Sequence, residues 1–425
     1  MKKAKVRNSE KIPKHLPERL TISFTIWGLF NTDESGVYFD IDKMVKEHVE
    51  RGFNCIRLDS GAGFIHDIKG NLRSPVIIGH IFGEDDACLR QFNVAGKTGY
   101  CNLHDRLIEL FKAAKKYNVF IILSSWYYLH TLWFIKEPAL NAELHSIAPM
   151  ERFQAFAKFL HYILLELEEL GLDSQVAFAE IFNESDGLRF VDGYNENHLS
   201  DEEIAKYRAK HEEAIQWLKE LHPQILFAFD SYTPRTDLRQ VTRNMQVYNF
   251  HNYFMWSLYG EVLENDNSFL VENKISKEEI MALAESDYLP DKDWYHRAWY
   301  YANLDKNKIP AAQDKMKNAL KENMDAIREE FYKSLDHVNK NLDNNLPAVP
   351  VVCGEGVTYS GGYNLVWEET SEEYWTIVKE VMLAYREAGL WGTVIRTCCG
   401  PEDPVWNMCP EKLLEMNNTF LIGKE

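Results

Sequence analysis

The sequence lacks the features that would place it among membrane, fibrous or disordered proteins. No apolar stretch reaches the roughly 20 residues that a membrane-spanning helix needs. The basic amino terminus, MKKAKVRNSEKIPKHLPERL, has no apolar core of the kind that a secretory signal carries. Glycine and proline number only 22 and 14 among 425 residues, which excludes a collagen-like or low-complexity chain. We therefore expect a globular, cytoplasmic protein that does not bind membranes.

Positive charge is also scarce. Lysine and arginine together number 47, against 65 aspartate and glutamate residues, so the formal net charge is −18. Nucleic acids and anionic membranes bind to cationic surfaces, so neither is expected as a partner. The seven cysteines include no CxxC pair and are spread through a long chain, which indicates buried thiols in a reducing compartment.

What the sequence does contain is an alternation of short apolar runs and amphipathic, helix-like stretches. The runs are apolar almost throughout, which is typical of strands that are buried on both faces of a parallel sheet. There are eight of them: Thr21–Trp27, Phe53–Leu58, Val119–Ser124, Val176–Phe182, Ile225–Phe229, Gln246–Phe250, Ala348–Cys353 and Gly392–Thr397. Eight strands alternating with helices predict an α/β fold, the (β/α)₈ or TIM barrel. No GxGxxG or GxxxxGK[ST] motif favours a doubly wound sheet instead.

One segment interrupts this alternation. Residues 256–345 contain no clear barrel strand but carry a long helical pattern, which we interpret as a helical insertion between the sixth and seventh strands. Loops that follow barrel strands lie at the catalytic mouth, so the insertion is expected to wall or cover the site. Residues 1–20 form an amino-terminal extension, and residues 21–425 form a single barrel.

Polar residues close several of the predicted strands. The carboxyl ends of parallel barrel strands face one pocket, so side chains at these ends are expected to meet. Glu184 follows the fourth strand and Glu355 follows the seventh. The other residues at these ends are Arg57, Asn183, Asp230, His251 and Tyr253. Two carboxyl groups are what glycosidic bond cleavage requires, one to protonate the leaving oxygen and one to attack or stabilise the anomeric carbon.

The Asn-Glu pair that ends the fourth strand and the lone Glu that ends the seventh resemble the clan A glycoside hydrolases. Within that group, the chain is similar to cellulase-like, sugar-binding TIM-barrel proteins. The resemblance spans residues 21 to about 420 but rests on short motifs. It implies that Glu184 is the acid/base and that Glu355 is the nucleophile.

The same resemblance implies roles for the supporting residues. Asn183 would bind the sugar 2-hydroxyl, and Arg57 would orient the nucleophile. His251 and Tyr253 match a His-x-Tyr motif at the sixth strand, whose Tyr contacts the nucleophile in the family. Asp230, at the end of the fifth strand, is expected to support the substrate or these residues.

The sequence departs from the family at the eighth strand, where many relatives carry a Trp that forms the floor of the sugar subsite. This chain has Arg396 there and Trp406 ten residues later, and both are candidates for substrate binding. Flat sugar faces stack on aromatic rings, and Trp126, directly after the third strand, is the first candidate for this role. Packing explains the other aromatic residues of that loop and of the insertion equally well.

Three functions remain open on this basis. The first is a retaining glycoside hydrolase that acts on short oligosaccharides or glycosides by double displacement and needs no cofactor or metal. Burial would raise the pKa of its acid, while Arg57 and Tyr253 would keep its nucleophile charged. The second is a carbohydrate-binding protein with weak or no activity.

The third is a metal-dependent sugar isomerase or lyase. A divalent ion could be gathered by oxygen and imidazole ligands from consecutive strand ends, namely Glu184, Asp230, His251 and Glu355. Metal binding would leave the Asn-Glu pair and Arg57 unexplained.

Overall fold

The structure is a computed structural model that describes most of the chain. The described residues are 11–79, 98–128, 131, 135–187, 190–191, 199–234, 239–255, 258, 260–272, 274–283, 292–343, 346–358 and 365–423. Of the predicted insertion, residues 256–257, 259, 273, 284–291 and 344–345 lie outside these ranges. Within them, no helix has both the length and the apolar character that crossing a membrane requires.

Eight parallel strands close into a barrel, which confirms the predicted fold. In chain order the strands are β1 Leu20–Phe24, β2 Cys55–Asp59, β3 Val76–Ile78, β4 Gly99–Cys101, β5 Phe120–Ser124, β6 Val176–Glu180, β7 Phe227–Ser231, β8 Val247–Asn252, β9 Val351–Gly356 and β10 Gly392–Val394. β3 and β4 form a separate antiparallel pair. The other eight follow one another around the barrel, and β10 pairs with β1 to close it. Each predicted apolar run supplies one of these barrel strands.

Helices surround the barrel. They are α1 Ile41–Glu50, α2 Ala62–Ile65, α3 Leu103–Tyr117, α4 Pro138–His145, α5 Arg152–Glu169, α6 Asp201–Leu221, α7 Lys277–Leu283, α8 Lys292–Ala302, α9 Ile309–Asp343, α10 Glu372–Ala388, α11 Pro404–Met408 and α12 Pro410–Ile422. The barrel strands are buried along their whole length because helices cover their outer faces. All polar groups inside the barrel must therefore find partners in the protein.

The segment between β8 and β9 is helical in its described part and contains α7, α8 and α9. The 35-residue helix α9 packs on the outer layer through Phe331, whose ring centre lies 5.2 Å from that of Phe254 and 5.3 Å from that of Tyr385 in α10. Arg328 of α9 also forms a bidentate ion pair with Glu380 of α10. These contacts attach α9 to α10, and the predicted cover over the site stays a prediction.

One glycine makes room for a polar layer inside the barrel. A Cβ atom at Gly354 in β9 would lie 2.4 Å from Asn249 Nδ2, closer than any packed Cβ atom. With glycine there, the Asn249 amide extends across the interior and donates to Glu180 Oε1 at 2.6 Å. The carboxyl half of the barrel interior is thus polar, and the candidate site is built on this layer.

Candidate active site

Arg57 lies at the centre of a buried cluster at the carboxyl ends of the strands. Its guanidinium donates to Glu355 Oε1 at 2.7 Å and to Glu180 Oε2 at 2.8 Å. It also donates to Asn183 Oδ1 at 2.8 Å and to Asp230 Oδ2 at 3.0 Å. Arg57 is fully buried. One side chain from β2 therefore contacts residues of β6, β7 and β9 and of the loop after β6. The positions of the strand ends predicted these contacts for Asn183, Asp230 and Glu355 but not for Glu180.

Glu355, at the end of β9, is held by several donors. Besides Arg57, the Tyr253 hydroxyl donates to its Oε2 at 2.5 Å, and His251 Nε2 lies 3.5 Å from its Oε1. Burial raises the pKa of Glu355, although the positive charges of His251 and Arg57 lower it and partly offset this effect. The expectation that Arg57 and Tyr253 keep this carboxylate charged therefore left out the cost of its burial.

Glu184 occupies a strained backbone position beside Glu355. Its φ angle is +51°, in the left-handed region that residues other than glycine rarely adopt. The backbone N–H of Glu184 donates to Asp230 Oδ2 at 2.8 Å, which helps to hold this conformation. Its side chain is 13% exposed, against 6% for Glu355. Strain of this kind concentrates at functional sites, and Glu184 is the more accessible of the two carboxyl groups.

His251, in β8, connects the two glutamates. Its Nδ1 lies 2.9 Å from Glu184 Oε1, and its Nε2 lies 3.1 Å from Asp230 Oδ1. Burial lowers the pKa of His251, but Asp230 and Glu355 more than reverse this and raise the pKa well above its ordinary value. The neighbouring carboxyl groups therefore favour the protonated ring, in which both nitrogens are donors.

The two candidate catalytic carboxyl groups are close together. One oxygen of Glu184, one nitrogen of His251 and one oxygen of Glu355 all lie within 4.8 Å of one another. This trio has the spacing of metal ligands. Both oxygens of Glu355 already accept hydrogen bonds, from Arg57 and from Tyr253. A cation at this position would have to compete with these two donors for the Glu355 carboxylate.

Trp126 belongs to the cluster and is almost fully buried. Its ring is 2% exposed, lies 4.7 Å from the Arg57 guanidinium carbon and packs edge-on against Phe24. Its backbone N–H donates to Asp59 Oδ2 at 3.0 Å. The ring therefore supports Arg57, and sugar stacking on Trp126 stays a prediction.

Trp406 does not reach the site. Its ring stacks on Phe53 at 5.8 Å between ring centres, and the Arg51 guanidinium carbon lies 4.4 Å from its ring. Its indole N–H donates to Glu47 in α1. Phe53 precedes β2, at the end of the barrel opposite Arg57, so the prediction that Trp406 binds substrate is wrong. The short helix α11 carries this ring away from the mouth.

Arg396 follows β10, the eighth barrel strand. Many members of the family that the sequence resembles have a Trp at this position. It is fully buried and forms ion pairs with Glu368 and with Glu369 Oε1, the latter at 2.8 Å. Its guanidinium is therefore engaged with two carboxylates of the loop before α10. Substrate binding by Arg396 stays a prediction that would require these pairs to rearrange.

Three functional candidates escaped the sequence analysis. Glu180 accepts hydrogen bonds from both Arg57 and Asn249, and a charged residue inside an apolar run was the signal for it. Burial raises its pKa, with Arg57 acting against this. Thr397 donates to the Tyr253 hydroxyl at 3.1 Å, and a polar residue at the end of the predicted run Gly392–Thr397 was the corresponding signal.

Asp186, two residues after Glu184, is the third. It is 2% exposed and accepts hydrogen bonds from the Tyr232 backbone N–H at 2.9 Å and the Ser231 hydroxyl at 2.8 Å. Burial raises the pKa of Asp186 to about 7, despite these two donors. A carboxyl group that titrates near neutrality thus lies beside the candidate acid/base.

Comparisons with known proteins bear on the fold. No family model and no curated protein matches the chain. Among solved structures, a "putative glycoside hydrolase" from Parabacteroides distasonis is 14% identical, with 95% of this chain and 93% of that one covered and a TM-score of 0.58.

Two further structures cover nearly the whole chain. PbGH5A, a glycoside hydrolase family 5 enzyme from Prevotella bryantii, is 11% identical, with 97% of this chain and 99% of that one covered and a TM-score of 0.48. An endo-1,4-beta-mannanase from Rhizomucor miehei is 10% identical, with 96% of each chain covered and a TM-score of 0.46. Identities this low describe the fold alone. The chain shares the fold of the Parabacteroides distasonis structure, and its closed barrel of eight parallel strands is the (β/α)₈ barrel that the sequence predicted.

Proposed function

We propose that this protein is a retaining glycoside hydrolase in which Glu184 is the acid/base and Glu355 is the nucleophile. The observation that carries the proposal is that one oxygen of Glu184 and one oxygen of Glu355 lie within 4.8 Å of each other, while the two carboxyl groups have different surroundings. Retaining enzymes place their two carboxyl groups about 5 to 5.5 Å apart, whereas inverting enzymes need a wider gap to admit water. The spacing here supports the retaining reaction.

In the first step, Glu184 would protonate the glycosidic oxygen while Glu355 attacks the anomeric carbon. The C–O bond to the leaving group breaks, and a covalent glycosyl ester forms on Glu355. The greater exposure of Glu184 suits a group that must reach the leaving oxygen. Arg57 and Tyr253 would hold the Glu355 carboxylate in the attacking orientation.

In the second step, Glu184 would act as a base. It takes a proton from water, the water oxygen attacks the anomeric carbon, and Glu355 leaves as a carboxylate. His251 Nδ1, 2.9 Å from Glu184 Oε1, would donate a hydrogen bond to the Glu184 carboxylate that is left between the two steps. Two inversions give net retention of the anomeric configuration.

Asn183 would contact the sugar. Its Oδ1 accepts a hydrogen bond from Arg57, which fixes the orientation of the amide and makes Nδ2 the atom available for donation. A sugar 2-hydroxyl is the group that the resemblance assigns to it. We propose short oligosaccharides or glycosides as substrates, the class expected from the sequence.

The test of this function is a panel of aryl glycosides that vary in sugar and anomeric configuration. We expect at least one to be hydrolysed by the native chain and not by Glu355→Gln, and proton NMR of the first product should show the starting configuration. An inverted product would contradict the mechanism. Sugar binding without turnover of any panel member would identify a carbohydrate-binding protein instead.

A metal-dependent isomerase or lyase is a second candidate because Glu184, His251 and Glu355 have ligand spacing. The hydrogen bonds that Arg57 and Tyr253 donate to the two oxygens of Glu355 argue against it. Dialysis against EDTA separates the two functions. A hydrolase should keep its full activity, whereas loss of activity on dialysis and recovery with Mn²⁺ would favour the metal enzyme.

A further inference from the structure

Three hydrogen bonds in series end on Glu355, and we call them the hydroxyl chain. The Gly356 backbone N–H donates to Thr397 Oγ1 at 2.9 Å. The Thr397 hydroxyl donates to the Tyr253 oxygen at 3.1 Å, and the Tyr253 hydroxyl donates to Glu355 Oε2 at 2.5 Å. Thr397 is 2% exposed and Glu355 is 4% exposed, so solvent competes little for these groups.

The direction of the hydroxyl chain follows from its first donor. A backbone N–H can only donate, so it occupies a lone pair of Thr397 Oγ1 and leaves the Thr397 proton for the next acceptor. The Tyr253 oxygen accepts that proton and directs its own proton to Glu355. Burial, together with the negative charge of Glu355, raises the pKa of Tyr253 well above its ordinary value, so the phenol stays protonated.

The backbone locks Thr397 in place. Its own N–H donates to the Gly356 carbonyl oxygen at 3.1 Å, so two hydrogen bonds join Thr397 to the end of β9. Gly356 has a φ angle of +146°, and a Cβ atom there would lie 2.6 Å from the Asn252 carbonyl oxygen. Glycine is therefore needed for this close approach, and the Thr397 hydroxyl has a fixed direction.

We propose that Thr397 is a positioning residue that fixes Tyr253 as a hydrogen-bond donor to the nucleophile Glu355. This inference rests on the proposed hydrolase function. Thr397 acts through Tyr253, which donates to one of the two Glu355 oxygens, and negative charge spreads over both oxygens when the glycosyl ester breaks. The effect is therefore greatest in the second step, where Glu355 is the leaving group.

The kinetic signature is a parallel fall of kcat and KM that leaves kcat/KM almost unchanged. With an activated aryl glycoside, the second step limits turnover, and the glycosyl-enzyme accumulates. Thr397→Val keeps the shape but removes the hydroxyl, and should lower kcat about 5-fold, the rate equivalent of one typical hydrogen bond. KM should fall in parallel, because the slower second step lets more glycosyl-enzyme accumulate. Thr397→Ser keeps the hydroxyl and should restore most of the rate.

Two comparisons separate positioning from a general structural loss. Thr393→Val is the matched control, because Thr393 is also buried, lies in β10 and donates to the Val394 carbonyl oxygen. Thr393→Val should not show the parallel fall of kcat and KM that is expected for Thr397→Val. In a Tyr253→Phe background, Thr397→Val should have almost no further effect, since its acceptor is gone. An equal loss in both backgrounds overturns the inference.

A measurement without substrate keeps the inference testable if the proposed function fails. The pH dependence of unfolding, compared between each protein and its Glu355→Gln counterpart, reports the pKa of Glu355 in the fold. Arg57, His251, Glu184 and Asp230 also act on this carboxyl group and are common to all the variants.

Thr397→Val should move the titration of Glu355 to higher pH, and Thr393→Val should not. If no glycoside is hydrolysed but this shift is seen, the hydrolase proposal fails and the positioning role stands. If glycosides are hydrolysed but neither the kinetics nor the titration moves, the positioning role is wrong.

Discussion

The Asp230 carboxylate accepts a 2.8 Å hydrogen bond from the backbone N–H of Glu184, the proposed acid/base. The same oxygen accepts from Arg57 at 3.0 Å, and its partner oxygen faces His251 at 3.1 Å. Asp230 thus connects the backbone of the acid/base to the two positive groups that surround the nucleophile. Its position in β7 fixes where Glu184 can place its side chain.

Asp230→Asn should therefore impair catalysis although Asp230 need not touch the substrate. The change removes one negative charge and places an N–H group near two donors, so the strained Glu184 backbone should shift. We expect kcat/KM to fall about 100-fold, the loss typical of a small misplacement of a catalytic group. The exposed Asp336→Asn in α9 is the matched control and should have native kinetics. Native kinetics in Asp230→Asn would refute the role of this contact.

Glu184→Gln should separate substrates by their leaving groups. The change keeps the shape of the side chain but removes its proton, so glycosides with a sugar leaving group should lose about 10²- to 10⁴-fold in kcat/KM. Aryl glycosides with a nitrated phenol need no protonation and should still form the glycosyl-enzyme. The exposed Glu322→Gln controls for the substitution itself. Equal losses for both substrate classes would count against Glu184 as the acid.

Asp186 should make the protein less stable as the pH rises. Its pKa is about 7 in the fold, against an ordinary value of 3.8. The folded state therefore binds more protons than the unfolded state between these values, and the free energy of unfolding falls as the pH rises from about 4 to about 7. The full loss is of the order of 4 kcal/mol.

Asp186→Asn removes this titration and keeps an oxygen for the Tyr232 N–H. Urea unfolding at pH 5 and pH 8 should show that the variant gains stability relative to the native chain at the higher pH. The advantage should shrink toward pH 4. A constant difference between the two proteins across this range would show that Asp186 titrates normally.

The sequence predicted the barrel and most of the cluster for one physical reason. Strands buried on both faces must be apolar until they reach the mouth, so the first polar side chains mark the strand ends. Arg57, Asn183, Asp230 and His251 meet because parallel strands bring all these ends to one face. The contacts of Arg57 with Glu355, Asn183 and Asp230 follow directly from that topology.

Other features needed the three-dimensional structure. Glu180 lies within an apolar run, and sequence does not tell whether its side chain faces the barrel interior or the helices. Trp406 was predicted to bind substrate because it follows the eighth strand closely in the sequence, but helix α11 directs its ring toward α1. The pKa of Glu355 depends on the balance between burial and its charged neighbours, which only their distances can decide.

The most direct test of the two-glutamate mechanism is the anomeric configuration of glycosyl azide formed by two alanine variants. In Glu184→Ala, azide should attack the glycosyl-enzyme and give the glycosyl azide with the configuration of the substrate. In Glu355→Ala, azide should enter the vacated space, attack the substrate directly and give the opposite configuration. Proton NMR distinguishes the two products. The same configuration from both variants, or the reverse pairing, would contradict the assignment of Glu184 as acid/base and Glu355 as nucleophile.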